Sequence, residues 1–268
     1  MEGLRRTFQD DDFRFLIQVL MPDTEDKQRM IRVLREDEEI LEGMLADEKL
    51  LRRLLDDPLS VLRVSPALFF AILLTRVRLD LESQPYTFER SQGFTMALFD
   101  APQVRQLLDN PELLAYLTDM LVSFVRINSF STSVRVRRGV WRKVRFSDFD
   151  IDSLVRYGSS LEEPHRFPVY KRIADICLFT LGVFSPAGEP QDAPLPMPAN
   201  TAPRRGRDDY IAQGVSFYKL ASRHQEAMAR KQSEVLSTLA EKFTLAAKPL
   251  SVMSSRYLRP FKENVFLQ

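Results

Sequence analysis

The run Ala67-Leu68-Phe69-Phe70-Ala71-Ile72-Leu73-Leu74 is apolar at every position. A helix at a protein surface keeps a polar stripe. One that is apolar on all faces belongs at the centre of a core, with other elements packed around it. Ser65-Pro66 stands directly in front of the run, and serine before proline supplies a cap and a first helical residue that needs no N–H partner. Beyond Leu74 the pattern turns amphipathic through Arg76, Arg78, Asp80 and Glu82. The run is far shorter than the ~20 residues that span a bilayer. So is Ile176 to Phe184, which Thr180 and Gly182 interrupt.

The flanking segments repeat apolar residues at helical spacing. Phe13, Phe15, Leu16, Val19 and Leu20 form one face that Pro22 ends. Asp23-Thr24-Glu25 offers a cap before Met30, Ile31, Val33 and Leu34, and Leu41, Met44, Leu45, Leu50, Leu51, Leu54 and Leu55 continue the pattern. The charges between them are dense and mixed, as on a solvated helical surface. Residues 101–129 read as a helix pair divided at Asn110-Pro111, with Leu113, Leu117, Leu121 and Phe124 on the second stripe. From 151 onward a helix leads to the corner Pro164-His165-Arg166-Phe167-Pro168, and Val169 to Phe184 reads as an apolar helix. Only nine glycines occur in 268 residues, about half the usual ~7%, which disfavours turn-rich all-β folds and glycine-rich phosphate loops.

Residues 132–146 switch from a period of 3.6 to a period of 2. Val134 and Val136 alternate with Arg135 and Arg137; Val144 and Phe146 alternate with Lys143 and Arg145; Arg138-Gly139 lies between. This pattern predicts a β-hairpin with a glycine turn. Residues 186–206 are proline-rich and read as a linker or loop. Residues 207–268 read as a helical hairpin, with Tyr210-x-x-Gln213-Gly214-x-x-Phe217 and Leu236-x-x-Leu239-Ala240-x-x-Phe243 each placing a small residue between large ones. The expected fold is therefore mainly α: a multi-helix core over 1–185 with one inserted basic hairpin, then the linker and the C-terminal helical hairpin, either packed on the same body or separate from it. The spacing from Gly214 to Ala240 does not fit a tetratricopeptide array.

Familiar catalytic patterns are absent: no G-x-G-x-x-G, P-loop, G-x-S-x-G or H-E-x-x-H occurs. Glu162-x-x-His165 has the letters of a di-iron ligand pair, but Pro164 interrupts it and no second pair exists. Asp148-x-Asp150-x-Asp152 begins like a calcium loop and then lacks the required glycine and glutamate. These aspartates suit the N-terminus of the next helix, or the hairpin arginines. Cys177, the single cysteine, sits between Ile176 and Leu178 and reads as a buried structural thiol. Asp175 in the same apolar stretch requires a cationic partner, and Arg172 or a hairpin arginine is the expected one. His165, Tyr170 and Asp175 share this stretch and form a candidate buried polar cluster. No catalytic residue, metal ligand or cofactor is expected.

The 38 basic and 37 acidic residues leave a net charge of +1, so nucleic-acid or lipid binding would need a local patch. The hairpin offers one: Arg135, Arg137, Arg138, Trp141, Arg142, Lys143 and Arg145 could grip phosphates, with the indole stacking on a base. The other reading is a flap lying on helices. The phrases Tyr86-Thr-Phe-Glu-Arg90, Val136-Arg-Arg-Gly-Val-Trp-Arg-Lys143 and His165-Arg-Phe-Pro168 with Ile173-Ala-Asp-Ile-Cys-Leu-Phe179 resemble a family of bacterial, mainly helical cytoplasmic proteins. That resemblance implies a bacterial, cytoplasmic setting and assigns no activity to any residue. The expected function is a non-enzymatic regulatory or adaptor protein that works through contact with a protein partner or a second copy of itself. A nucleic-acid-binding regulator and a small-molecule-binding helical protein are the alternatives; no membrane partner is expected.

Overall fold

The computed structural model describes residues 3–84, 87–91, 94–98, 100–125, 129–137, 140–147, 149–184 and 205–260, and only the backbone of the strands among them. The described chain is mainly helical. It divides into two compact units. The first comprises 1–89, 97–125 and 252–268; the second comprises 90–96 and 126–251.

The first unit contains α1 (Asp10–Leu20), α2 (Lys27–Glu36), α3 (Glu38–Leu45), α4 (Glu48–Asp56), α5 (Pro58–Val61), α6 (Pro66–Ser83), α7 (Ala101–Leu108) and α8 (Pro111–Ser123). Aspartates start four consecutive helices. Asp26 accepts from Arg29 N at 2.9 Å, and Asp37, Asp47 and Asp57 cap α3, α4 and α5. Each cap is worth about 1 kcal/mol. The α2 cap is thus Asp26 and not the Asp23–Glu25 stretch expected from the sequence. The Ser65 hydroxyl accepts from Leu68 N at 3.1 Å, with Pro66 as the first residue of α6. Leu68, Ala71, Ile72, Leu73, Leu74 and Val77 are buried, and α6 packs against α4, α7 and α8. Phe69 and Phe70 are half-buried, edge to face with centroids 5.4 Å apart. The buried Asp12 carboxylate accepts from Gln9 N at 2.8 Å and Ser65 N at 2.7 Å, fastening the start of α1 to the start of α6.

Ser254–Leu258, a widened helical turn, also belongs to this unit. It brings Arg256 within 3.1 Å of Asp80 and lets the Tyr257 hydroxyl donate to the same carboxylate. Burial, then the hydrogen bond to Asp80, push the Tyr257 phenol up to about 12.

Among the described residues there are four strands: β1 (Thr87–Ser91) beside β2 (Phe94–Leu98), and β3 (Ser129–Arg137) antiparallel to β4 (Val140–Ser147). The β3–β4 register runs from Ser129 opposite Ser147 to Arg137 opposite Val140, with a shift between Arg135 and Arg137. Such a bulge interrupts the strict alternation of faces that a simple hairpin would keep. Arg138 and Gly139, the expected turn, lie outside the described residues.

The second unit contains α9 (Ile151–Ser159), α10 (Phe167–Phe179), α11 (Arg207–Ser222), α12 (Gln225–Ala229), α13 (Ser233–Glu241) and most of α14 (Phe243–Met253). Asp150 caps α9 by accepting from Asp152 N at 3.1 Å. Helix α10 continues into a widened turn at Thr180–Phe184. The expected boundaries at 185 and 207 both fall inside this unit, because α10 and α11 pack on each other. Over 207–253 α11 packs against α13, the five-residue α12 lies in the connection, and α14 follows. His224 starts α12, its Nδ1 accepting from Glu226 N at 3.1 Å while Nε2 meets Glu163 O at 2.9 Å. Lys231, with φ of 55°, turns the chain between α12 and α13.

Two glycines set the helix spacing here. A Cβ on Gly214 would run into the Phe243 ring and stand 3.0 Å from Cys177 Cβ, so the bare α-carbon is what lets α11 approach α10. A Cβ on Gly182 would stand 2.5 Å from Leu250 Cβ and 3.0 Å from the Ala247 carbonyl.

Candidate functional site

The sequence singled out two groups of residues. Arg135, Arg137, Trp141, Arg142, Lys143 and Arg145 occupy positions in β3 and β4, but their side chains lie outside the described residues, as does all of Arg138. In the strand register Arg135 stands opposite Trp141, and Ser133 opposite Lys143. Of the expected acidic partners, Asp152 pairs with Arg205, and Asp150 accepts from Asp152 N and the Ser153 hydroxyl at the start of α9.

The second group does not form one buried cluster, which corrects the expectation. His165 is exposed, in the short turn Glu163–His165 that Pro164 begins. Tyr170 is half-exposed, and Asp175 is only 2% exposed. The reason is helical geometry. Tyr170 and Asp175 are five residues apart on α10, so their side chains diverge by about 140° around its axis.

Asp175 faces α11. Its Oδ1 accepts from the fully buried Tyr218 hydroxyl at 2.8 Å, and its Oδ2 accepts from Lys171 Nζ at 2.7 Å. Lys171 lies four residues earlier on the same helix, which puts it on the same face. An unpaired carboxylate at this depth would cost several kcal/mol; the ammonium and the phenol together replace its water. Nearby, desolvation pushes the Cys177 thiol up to about 12, with the Arg205 guanidinium opposing and Asp175 reinforcing. The thiol is therefore uncharged at neutral pH, and the thiolate that would attack or bind metal is not populated. Burial likewise raises Tyr210, against the pull of Arg205. This seam of α10 and α11 is built to hold helices together.

The other feature is a concavity between α9, α10 and α11. It has a volume of about 140 Å³ and is half open to solvent. Leu154, Val155, Val169, Ile173 and Phe217 form its apolar wall; Ser159, Arg166 and Tyr170 supply its polar groups, and Gly158 also lines it. Gly158 suits the close crossing of α9 over Val169, whose Cγ1 would be 3.1 Å from an added Cβ. Tyr170 and Phe217 pack with ring centroids 5.9 Å apart. Arg166 donates from Nε to Leu161 O and from Nη1 to Glu163 Oε2, both at 2.9 Å. The Tyr170 hydroxyl, acting as acceptor beside it, raises the guanidinium further above its ordinary value.

Sequence reasoning missed Tyr218, Lys171 and Arg205. Tyr210, Gly214 and Tyr218 repeat every fourth residue, and that stripe was the available signal. Nothing local pointed to Arg205 as the partner of Asp152, 53 residues away. Among the described residues, no three His, Cys, Asp or Glu side chains gather as a metal would require, and no helix is long and apolar enough to cross a membrane. No family model, curated protein or solved structure matches the chain.

Proposed function

We propose that this protein is a non-enzymatic adaptor or regulatory protein that acts by contact with other proteins. The observation that carries this reading is the turn of α5. Leu59 is 64% exposed and Leu62 is 82% exposed, three residues apart and therefore on one side of the turn. The turn is stiff. The Asp57 side chain accepts from Leu59 N at 3.1 Å and from the Ser60 hydroxyl at 2.9 Å, and Asp12 holds the chain just beyond at Ser65. Two large apolar side chains displayed in water carry a hydrophobic cost that a partner's surface would relieve. The hydrogen-bonded backbone that carries them lowers the main-chain entropy lost on binding.

The concavity between α9, α10 and α11 does not itself favour the small-molecule alternative, since about 140 Å³ falls below the ~300–1,000 Å³ of ordinary ligand sites. The basic residues of β3 and β4 are, in this reading, a second partner-facing element, and nucleic acid is their alternative occupant.

The test is a photo-crosslinking amino acid placed at Leu62, with exposed Arg32 as the control position, in the host cell. Discrete adducts at 62 and none at 32 are expected. A chain that remains a monomer in light scattering and gives no adduct at 62 overturns the reading. Fluorescence anisotropy with labelled DNA and RNA across a salt titration separates the alternative, because phosphate contacts weaken steeply with salt.

A further inference from the structure

We propose that the concavity between α9, α10 and α11 is a docking pocket for a protein segment that presents one aliphatic side chain with a carboxylate beside it. This inference rests on the adaptor reading and names the partner's chemistry. Size is the first argument. A half-open space of about 140 Å³ suits one side chain better than a cofactor or metabolite. Its wall is aliphatic and aromatic, and Val155 on its rim is 38% exposed.

Charge is the second argument. The residues lining the pocket include one cation, Arg166, and no carboxylate. The guanidinium is held in place by the Leu161 carbonyl. Its pair with Glu163 does not close the site: the Glu163 side chain is 65% exposed, and such solvent-exposed pairs have little net worth. A partner carboxylate replaces it without leaving a buried charge, and the fork of the guanidinium suits a second oxygen pair. Tyr170 and Ser159 add polar lining, the Ser159 hydroxyl donating to Val155 O at 2.9 Å.

The experiment uses the full chain with ¹³C-labelled Ile, Leu and Val methyl groups. The probes are blocked helical peptides carrying one exposed leucine, followed at the next helical turn by Glu, Gln or Lys, with 3-methylbutanoate as a small-molecule arm. The expected result is movement of the Leu154, Val155, Val169 and Ile173 methyl signals. Affinity for the Glu peptide should exceed that for the Lys peptide at least tenfold. Arg166→Gln should bring the Glu and Gln peptides level, and Ser159→Leu, at an exposed position on the rim, should abolish the shifts. Equal binding of the Glu and Lys peptides overturns the proposal. So does an absence of shifts with millimolar peptide, or a response to 3-methylbutanoate alone. Adducts at Leu62 would in each of those cases leave the adaptor reading standing, so the two failures are separable.

Discussion

Helices α6 and α10 both lie in the interior of their units, and they are buried by different means. In α6, the stretch with Leu68, Ala71, Ile72, Leu73 and Leu74 meets apolar neighbours and needs no specific partner atom; the helix's polar partners begin further along, at Asp80. In α10, Ile173, Ala174, Ile176 and Leu178 are equally buried, yet Asp175 and Cys177 sit among them. The first arrangement depends on volume. The second depends on Lys171 and Tyr218 being in register with one carboxylate, and on Gly214 leaving room for α11 to arrive there. A core of the first kind tolerates conservative repacking. The second kind fixes which face of α11 meets α10, because a slipped register would strand the carboxylate.

The comparison breaks most severely if α6 is given the group that α10 manages. Leu73→Asp places a carboxylate among apolar residues, and we expect a loss above about 4 kcal/mol, read as failure to fold or a collapse of the urea midpoint. Next comes spacing within the second unit. Gly182→Ala must displace Leu250 and the Ala247 carbonyl, and should cost about 2–3 kcal/mol in chemical denaturation. Asp175→Ala leaves the Tyr218 hydroxyl and the Lys171 ammonium without their shared acceptor, and should cost about 2 kcal/mol. The double change Asp175→Leu/Tyr218→Phe sharpens the point. If the network serves register and not net stability, the double variant recovers to within about 1 kcal/mol of the parent. The smallest contrast is at the helix starts. Ser65→Ala removes the α6 cap and should cost about 1 kcal/mol. Arg166→Gln at the start of α10, which has no side-chain cap, should change the melting midpoint by less than half as much.

These two helices also mark where sequence reading works and where it stops. The α6 run and its Ser65-Pro66 start were legible because both signals are local: a stretch apolar at every position, and a cap bonding three residues ahead. For Asp175 the need for a cation was legible. The Tyr218 partner was not, since nothing local links residues 43 positions apart. Grouping His165, Tyr170 and Asp175 failed because proximity in sequence is not a shared face on a helix. The pocket was also out of reach. Its wall is closed by Phe217 from α11, and the sequence left open whether residues 207–268 pack on the rest, whereas in the structure α11 packs on α10. The leucines at 59 and 62 carried no signal either, since a short apolar cluster reads the same whether buried or displayed.

Cys177 offers a direct use of this architecture. It is the chain's single thiol, fully enclosed and held protonated, so a thiol reagent meets it only when α10 and α11 part. Its labelling rate at pH 8, divided by the rate of a free cysteine, gives the opening equilibrium of the second unit without any engineered probe. Peptides that stabilise the closed arrangement would slow that clock, and a titration of the slowing would read their affinity from inside the protein.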